Sequence, residues 1–265
     1  MKVLVTRPRV QANSFAADLK AAGFEPILFP VIEIRPADDS VALDRAIGRL
    51  DCYDWVVFTS VNGVDAFCER MTSLGLGSAF ISKEPIDVSG QEKEGSGVKV
   101  AAIGPKTAEA LRLCGIEPDY IPAEYVAEAI LPGLGDLRGC WVLLPRADIA
   151  RKALPNAISR AGGVAHEVVA YRTVPAAVSQ SELDALEAGI DVVTFTSPST
   201  VQGFVEVSRR AGIDPLNLAG NPKIACIGPI TQKAAEDEGF LSVAVAQEYT
   251  TQGLLSILKE WDREV

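Results

Sequence analysis

The sequence predicts an α/β protein of two lobes, each built on a doubly wound parallel sheet. Three observations predict this fold: the length of the chain, the alternation of strand and helix signals, and an internal repeat. With 265 residues and 48% hydrophobic content, the chain is long enough for two separate cores of about 130 residues each. Apolar strand-like runs alternate with helical patterns from end to end, which is the order that gives parallel sheets covered by helices.

The internal repeat consists of strand ends that recur in the same order in both halves of the chain. Three pairs of blocks match: Val3–Arg7 with Val142–Arg146 (142 − 3, an offset of 139), Asp54–Ser60 with Asp191–Ser197 (191 − 54, an offset of 137), and Lys99–Pro105 with Lys223–Pro229 (223 − 99, an offset of 124). Because the offset falls by 13 (137 − 124) before the third pair, the first copy should carry an insertion at 82–97. Its polar, glycine-containing sequence predicts a mobile surface loop.

Two runs at equivalent places in the repeat, Glu25–Pro36 and Val164–Pro175, are predicted to be unusually long extended segments. Two interpretations of them stay open from the residues alone. Each run is either a strand that bridges the two lobes or an ordinary strand followed by its loop.

Composition excludes several classes of function. The formal charge of −10 and the pI near 4.8 provide no basic surface for nucleic acid. No apolar run approaches the roughly 20 residues of a membrane span, and the first residues read as a strand rather than a signal peptide, so we expect a soluble, cytoplasmic protein. Five scattered cysteines and a single histidine favour reduced core thiols over a disulfide framework or a metal site.

The strand-to-helix turns form the candidate ligand site, which is expected in a cleft between the lobes. Ligands of open parallel sheets bind beyond the carboxyl ends of the strands, where helix N-termini attract anions. Each of the six matched blocks is predicted to end a strand and open a helix. The alternative interpretation of any one Ser or Thr at such a turn is an ordinary helix cap without a ligand. The candidate anion-binding residues at these turns are Ser60, Asn62, Thr107, Ser197, Ser199 and Gly228.

Three further side chains are candidates for function. Arg7 and Arg146 match in the repeat, and a guanidinium can donate two parallel hydrogen bonds to a carboxylate, although a surface salt bridge is the alternative. Tyr171 matches Ile32 (171 − 139), so one copy holds a phenol where the other holds a plain core residue. His166 is expected to be structural, which argues against histidine-dependent catalysis.

These motifs, in this order, resemble the uroporphyrinogen-III synthase family over nearly the whole chain. The resemblance rests on the following segments: Thr6-Arg7-Pro8, Phe58-Thr59-Ser60, Phe195-Thr196-Ser197, Val169–Thr173 and Ile227–Thr231. It implies two α/β lobes joined by a two-stranded ladder, with a cleft between them. The first lobe would take residues 1–36 and 174–265, the inserted second lobe would take 37–173, and the two long runs would be the ladder strands.

The resemblance also implies a reaction. The family converts hydroxymethylbilane, a linear tetrapyrrole, to uroporphyrinogen III with loss of water, inversion of the last pyrrole ring and ring closure, and it uses no cofactor or metal. Tyr171 would assist departure of the terminal hydroxyl, with Thr231 as the second catalytic candidate. Ile230 replaces a threonine that is frequent in the family, so the side-chain role at that turn falls to Thr231 alone. Lys223 joins the implied set of residues that bind substrate carboxylates.

The implied partners are few. We expect a monomer whose only ligand is the linear tetrapyrrole, received in a transient hand-over from hydroxymethylbilane synthase, without nucleic acid or membrane. Two other interpretations stay open. One is a two-lobed module that binds an anionic small molecule without catalysis. The other is a nucleotide-dependent enzyme, which the missing phosphate-binding loops disfavour.

Overall fold

The computed structural model of this chain describes residues 1–81, 97–124 and 127–263. The predicted surface loop at 82–97 lies outside the described residues except for Gly97. No helix in the described part of the chain is long and apolar enough to cross a membrane.

The described residues form ten strands and ten α-helices. The strands are β1 (Lys2–Val5), β2 (Glu25–Leu28), β3 (Ile32–Pro36), β4 (Trp55–Phe58), β5 (Lys99–Ala102), β6 (Trp141–Ala147), β7 (Val164–Pro175), β8 (Val192–Phe195), β9 (Lys223–Cys226) and β10 (Val243–Val245). The helices are α1 (Arg9–Ala21), α2 (Val41–Ile47), α3 (Val61–Ser73), α4 (Pro105–Leu113), α5 (Leu131–Leu134), α6 (Ala153–Arg160), α7 (Gln180–Glu187), α8 (Pro198–Arg210), α9 (Pro229–Asp237) and α10 (Thr251–Arg263).

The strands form two five-stranded sheets. The first has the order β10-β9-β8-β1-β2, and its paired strands are parallel. Numbered along the chain, this order is 2-1-3-4-5, one of the two common doubly wound orders. The second sheet has the order β3-β7-β6-β4-β5, in which β7, β6, β4 and β5 pair in parallel. The predicted α/β fold with two doubly wound parallel sheets is confirmed.

Both sheets place apolar side chains on both faces, as the near-continuous apolar runs of the strands require. In β1, Leu4 packs into one core with Phe195 and Phe204, whereas Val3 and Val5 pack into a second core on the opposite face. Residues of β1 alternate between the faces because the side-chain period of a strand is two. Helices therefore cover the sheet on both sides.

The internal repeat is visible in the backbone as well as in the sequence. Gly23 and Gly162, which are related by the offset of 139, follow α1 and α6 with φ angles of 88° and 87°. This left-handed conformation favours glycine, and it ends both helices in the same way. Phe15 and Leu154, a second pair at this offset, are both fully buried. The matched residues thus occupy equivalent places in the two copies.

Two predictions about the elements are wrong in part. The run Glu25–Pro36 is not one long strand: it is split into β2 and β3, which belong to different sheets. Pro30 lies in the break, and proline cannot donate to a strand ladder. The block that ends at Arg146 does not open a helix, because β6 continues to Ala147 and α6 begins only at Ala153. By contrast, Val164–Pro175 is a single strand of 12 residues.

Contacts divide the chain into two compact units, residues 1–34 with 173–265 and residues 35–172. The first unit contains the first sheet. The chain passes between the units inside β3 and β7, which are neighbours in the second sheet. The two lobes predicted from the sequence have boundaries at 36 and 174, and this division stays a prediction.

Candidate active site

The order of strands identifies one edge of each sheet as a place for a ligand. In an open α/β sheet, ligands bind outside the carboxyl ends of the strands where the strand order reverses. In the first sheet this point lies between β1 and β8, and in the second it lies between β6 and β4. Arg7 and Ser197 follow the two strands of the first pair, and Ser60 follows β4. Three of the predicted site residues therefore lie at the switch points of their own sheets.

Ser60 caps the N-terminus of α3. Its backbone is extended, with φ −162° and ψ 153°, and its Oγ accepts a hydrogen bond of 3.1 Å from the backbone N–H of Gly63. Such a cap is worth about 1 kcal/mol of stability. A Cβ on Gly63 would lie 3.0 Å from the carbonyl oxygen of Pro145, so glycine allows α3 to begin close against β6.

Tyr171 reaches this place because of a bulge in β7. Arg146 of β6 pairs with Val169, but Ala147 pairs with Tyr171, so β7 carries one extra residue there. The bulge breaks the alternation of faces: Val169 is exposed, whereas Ala170 and Tyr171 are both buried. Bulges redirect side chains in this way and are frequent beside active sites.

The Tyr171 phenol is buried and hydrogen-bonded. Its hydroxyl lies 3.0 Å from Ser60 Oγ, and a further hydrogen bond joins it to the side chain of Asn62. Burial raises the pKa of Tyr171, whereas its hydrogen bonds to Ser60 and Asn62 and the charge of Arg146 lower it in part. The net shift is upward, so the phenol is neutral at physiological pH and can donate a proton.

Arg146 is almost fully buried beside the phenol. It is 7% exposed, its Nη1 lies 3.3 Å from Glu167, and its Nη2 donates to the carbonyl oxygen of Arg151 at 2.8 Å. Its Nε is buried and has no hydrogen-bond partner among the described residues. Burial lowers the pKa of Arg146. The predicted alternative, a salt bridge, is present with Glu167, although Arg146 itself is buried, and its role in ligand binding stays a prediction.

An ion-pair cluster that the sequence reasoning missed flanks Tyr171. The next residue, Arg172, pairs with Asp38 and lies 3.4 Å from Asp148. The backbone N–H of Asp148 also donates to the carbonyl oxygen of Tyr171 at 3.2 Å. These contacts hold β7 in place at Tyr171 and Arg172. The acidic partners are distant in sequence: Asp148 follows β6 and Asp38 follows β3, and these two strands are the neighbours of β7 in the sheet.

In the first unit, Arg7 follows β1 and is partly buried. Its Nη2 donates to Gln11 Oε1 at 3.1 Å, while its buried Nε has no hydrogen-bond partner in the part of the chain that the structure describes. Burial lowers the pKa of Arg7. Arg7 and its repeat partner Arg146 therefore share one feature: the buried Nε of each lacks a hydrogen-bond partner among the described residues.

The hydroxyls of Ser197 and Ser199 belong to the cap of α8. Ser197 Oγ accepts from the N–H of Thr200 at 3.2 Å and lies 2.8 Å from Ser199 Oγ. Thr200 Oγ1 accepts in return from the N–H of Ser197 at 3.2 Å, which completes a capping box. The sequence left helix capping open as the alternative to anion binding, and Ser197 does cap α8. A contact with a ligand would be a second role of these hydroxyls.

Thr107 and Thr231 occupy the same position in two equivalent helices. Each is the third residue of its helix, α4 or α9, and they are 4% and 3% exposed. The helices begin after Gly104 and Gly228, which are extended and offer no side-chain cap. Both threonines thus lie in a first turn at the carboxyl edge of their sheets, beside β5 or β9.

Lys223 lies apart from the other candidates. It is the first residue of β9, at the amino end of the strand, and its Nζ lies 4.9 Å from the centre of the Trp261 ring. Thr231 follows the opposite end of the same strand. The position of Lys223 gives no support to the predicted role in binding substrate.

The arrangement can bind anions and donate a proton. A neutral phenol, buried guanidinium groups and the N-termini of several helices are donors without a strong base among them. Within the described residues, no three His, Cys, Asp or Glu side chains are grouped so that they could hold a metal ion. Each unit presents its donors at its own carboxyl edge.

Comparisons with known proteins agree on one family. A family model described as uroporphyrinogen-III synthase HemD matches residues 13–256. A uroporphyrinogen-III synthase from Synechococcus elongatus is 32% identical over 269 residues, which cover 99% of this chain and 96% of the relative. One from Chlorobaculum parvum is 28% identical, with 93% of each chain covered. A mutant uroporphyrinogen III synthase from the extremely thermophilic bacterium Thermus thermophilus shares the fold with a TM-score of 0.67, at 22% identity and full coverage of both chains. The chain therefore belongs to the uroporphyrinogen-III synthase family.

Proposed function

We propose that this chain cyclises hydroxymethylbilane to uroporphyrinogen III, with loss of water and inversion of the last pyrrole ring. The observation that carries the proposal is a buried, neutral phenol at a β-bulge, hydrogen-bonded to a helix cap, in a chain that belongs to the uroporphyrinogen-III synthase family. The site offers what the reaction needs, which is a proton donor for a leaving hydroxyl and many donors for carboxylates.

Tyr171 is the proposed proton donor. Departure of the terminal hydroxyl breaks a carbon–oxygen bond, and the hydroxyl leaves as water when it takes a proton from a donor. Ser60 Oγ already accepts from the N–H of Gly63, so its own proton is free to point at the Tyr171 oxygen. Ser60 can therefore stabilise the transient Tyr171 phenolate by donating a hydrogen bond to it.

The proposed carboxylate-binding residues lie at the carboxyl edges of both sheets. Arg146 and Arg7 offer guanidinium groups, and the first turns of α3, α4, α8 and α9 offer N–H groups. Thr231 is retained as a second candidate beside the substrate. Because the whole chain carries a charge of −10, these local donors must supply the attraction for a polycarboxylate.

Orientation is the main catalytic task. Unaided ring closure gives the isomer in which the last ring is not inverted, so the protein must hold the chain folded for attack at the substituted carbon. Holding the reactive groups in this orientation can lower the activation barrier by several kcal/mol. We further propose that the enzyme acts as a cytoplasmic monomer of two lobes, 1–36 with 174–265 and 37–173, and receives its substrate directly from hydroxymethylbilane synthase.

A coupled assay tests the proposed function. Hydroxymethylbilane is generated in place by its synthase, the products are oxidised, and the isomers of uroporphyrin are separated by chromatography. We expect isomer III to predominate when this chain is present and isomer I when it is absent. Binding of hydroxymethylbilane with formation of isomer I alone would identify a non-catalytic module and would reject the proposal.

A further inference from the structure

A groove of about 460 Å³ lies at the amino edge of the second sheet, and the proposed reaction uses none of its residues. Its lining includes Arg45, Arg49, Tyr53, Trp141 and His166, and we call it the amino-edge groove. Trp141 begins β6, and His166 is the third residue of β7. Tyr171, the phenol of the proposed site, lies five positions further along β7 (171 − 166), or about 16 Å away. The volume is within the range of small-molecule pockets.

Aromatic rings form one part of the amino-edge groove. The rings of Tyr53 and His166 are stacked, with centroids 5.8 Å apart and an angle of 13° between the planes. The phenol oxygen lies 2.6 Å from His166 Nδ1. Burial raises the pKa of Tyr53, so the phenol keeps its proton and can donate it to this nitrogen. Trp141 is 47% exposed beside them. Flat, apolar faces are thus available to a flat ligand.

The charges of the groove are positive. Arg45 and Arg49 are its charged lining residues, and neither guanidinium forms an ion pair with a carboxylate in the part of the chain that the structure describes. In a chain with a net charge of −10, two unpaired cations beside aromatic faces form a local site of attraction for anions. Guanidinium groups bind carboxylates and phosphates through paired N–H donors.

The internal repeat shows that the fold does not require this cluster. Tyr53 corresponds to Ile190 (53 + 137), and His166 corresponds to Ile27 (166 − 139). Ile190 is 1% exposed and belongs to a hydrophobic core that Ile27 also contacts. One copy therefore packs isoleucines where the other holds a hydrogen-bonded phenol and imidazole. Since apolar packing suffices at these positions, the polar aromatic pair points to a ligand.

We propose that the amino-edge groove binds a planar aromatic anion, with its ring against Trp141 and the Tyr53–His166 pair and its anionic group on Arg45 and Arg49. Aromatic carboxylates and nucleoside phosphates share this chemistry. The proposal is independent of the reaction at the other edge of the sheet.

His166 offers a specific test because it is the single histidine of the chain. Its imidazole ring protons give one set of NMR signals, which the ring current of a stacked ligand will shift. The probes are adenosine 5′-monophosphate, pyridine-2,6-dicarboxylate, adenosine and inorganic phosphate, at constant pH and ionic strength. We expect a saturable shift, with Kd below about 1 mM, for at least one of the two planar anions. Adenosine and inorganic phosphate should shift the signals much less.

Variants complete the test. The double variant Arg45→Gln/Arg49→Gln should weaken binding of the active probe at least tenfold. The control is Arg209→Gln/Arg210→Gln, which removes the same charge from exposed residues of α8 in the other unit. It should leave the affinity unchanged. The proposal is overturned if neither planar anion shifts His166, if phosphate alone shifts it equally, or if the groove variant binds like the wild type.

Discussion

At the scale of residues, the proposed proton transfer depends on the environment of Tyr171. The phenol is 8% exposed, bonded to Ser60 and Asn62, and close enough to Arg146 for the cation to affect its titration. Phenylalanine at this position would keep the ring packing and remove only the hydroxyl. The effect of the hydroxyl on chemistry can therefore be separated from its effect on folding.

We predict that Tyr171→Phe lowers kcat about 100-fold, because proton donation contributes at least that factor in typical enzymes. Stability should fall by only about 1 kcal/mol, the net value of a lost hydrogen bond. Steady-state kinetics and urea unfolding measure the two quantities. Tyr120→Phe is the control, since the Tyr120 ring packs against Gly133 in the same unit, and it should retain full activity. An unchanged kcat in Tyr171→Phe would remove the phenol from the mechanism.

The raised pKa of Tyr171 also predicts how stability depends on pH. Burial favours the neutral phenol, so the folded pKa lies above the unfolded value of about 10. The resulting stabilisation is fully present below about pH 10 and is lost as the pH rises through the folded pKa. Wild type should therefore lose stability above pH 10 faster than Tyr171→Phe in paired thermal melts. Parallel curves would show that the phenol has an ordinary pKa.

At the scale of elements, the contact between α3 and β6 positions the cap residue Ser60. A Cβ on Gly63 would lie 3.0 Å from the backbone oxygen of Pro145 and 3.3 Å from Ser60 Oγ. The backbone oxygen cannot move without displacing β6, so α3 would have to shift. The hydrogen bond between Ser60 and the phenol would then lengthen.

We predict that Gly63→Ala costs about 1–3 kcal/mol of stability, as overpacking does, and lowers activity with it. The matched control is Gly77→Ala, where the added Cβ would meet no atom within 4 Å and φ is −90°. Alanine should be neutral or slightly stabilising at that position. Denaturant unfolding and the coupled assay compare the two variants. Equal behaviour of the two would show that the close approach of α3 and β6 is not tight in solution.

The elements also show what the sequence can and cannot predict. Apolar periodicity and the repeat predict both sheets, because buried parallel strands need continuous apolar runs. The break at Pro30 is only partly readable: a proline can interrupt a ladder, but Pro26 lies inside β2 and Pro145 inside β6 without ending either strand. The bulge that directs Tyr171 is not readable, since it depends on the register between β6 and β7 and leaves no composition signal. The pairing of Arg172 with Asp148 depends on the same register.

For the candidate site, the predicted residues that gain support are those that lie after the carboxyl end of a strand. Residues that directly follow strands, such as Ser60 and Arg7, lie at the expected edge. Lys223, which the resemblance assigns to substrate binding, begins its strand and therefore lies at the opposite edge. Matching a motif places a residue along the chain, whereas the direction of the strand decides which edge of the sheet it reaches.

At the scale of the whole molecule, we predict that each unit supplies a residue that binds the substrate. Arg7 belongs to the first unit and Arg146 to the second, and the buried Nε of each lacks a hydrogen-bond partner within the described ranges. Each guanidinium is expected to bind a carboxylate of hydroxymethylbilane. Removing Arg146 leaves its partner Glu167 with a second contact, to Lys152 at 2.8 Å, so the variant should fold.

The most direct test is the KM for hydroxymethylbilane, with the isomer ratio, in Arg7→Gln, Arg146→Gln and the double variant. A charged hydrogen bond is worth about 1.5 kcal/mol or more, so each single change should raise KM at least tenfold. The double variant should raise KM further and increase the share of isomer I. Arg138→Gln, an exposed arginine before β6, is the control and should behave as wild type. If either Arg7→Gln or Arg146→Gln left both KM and the isomer ratio unchanged, the claim that both units bind the substrate would be contradicted.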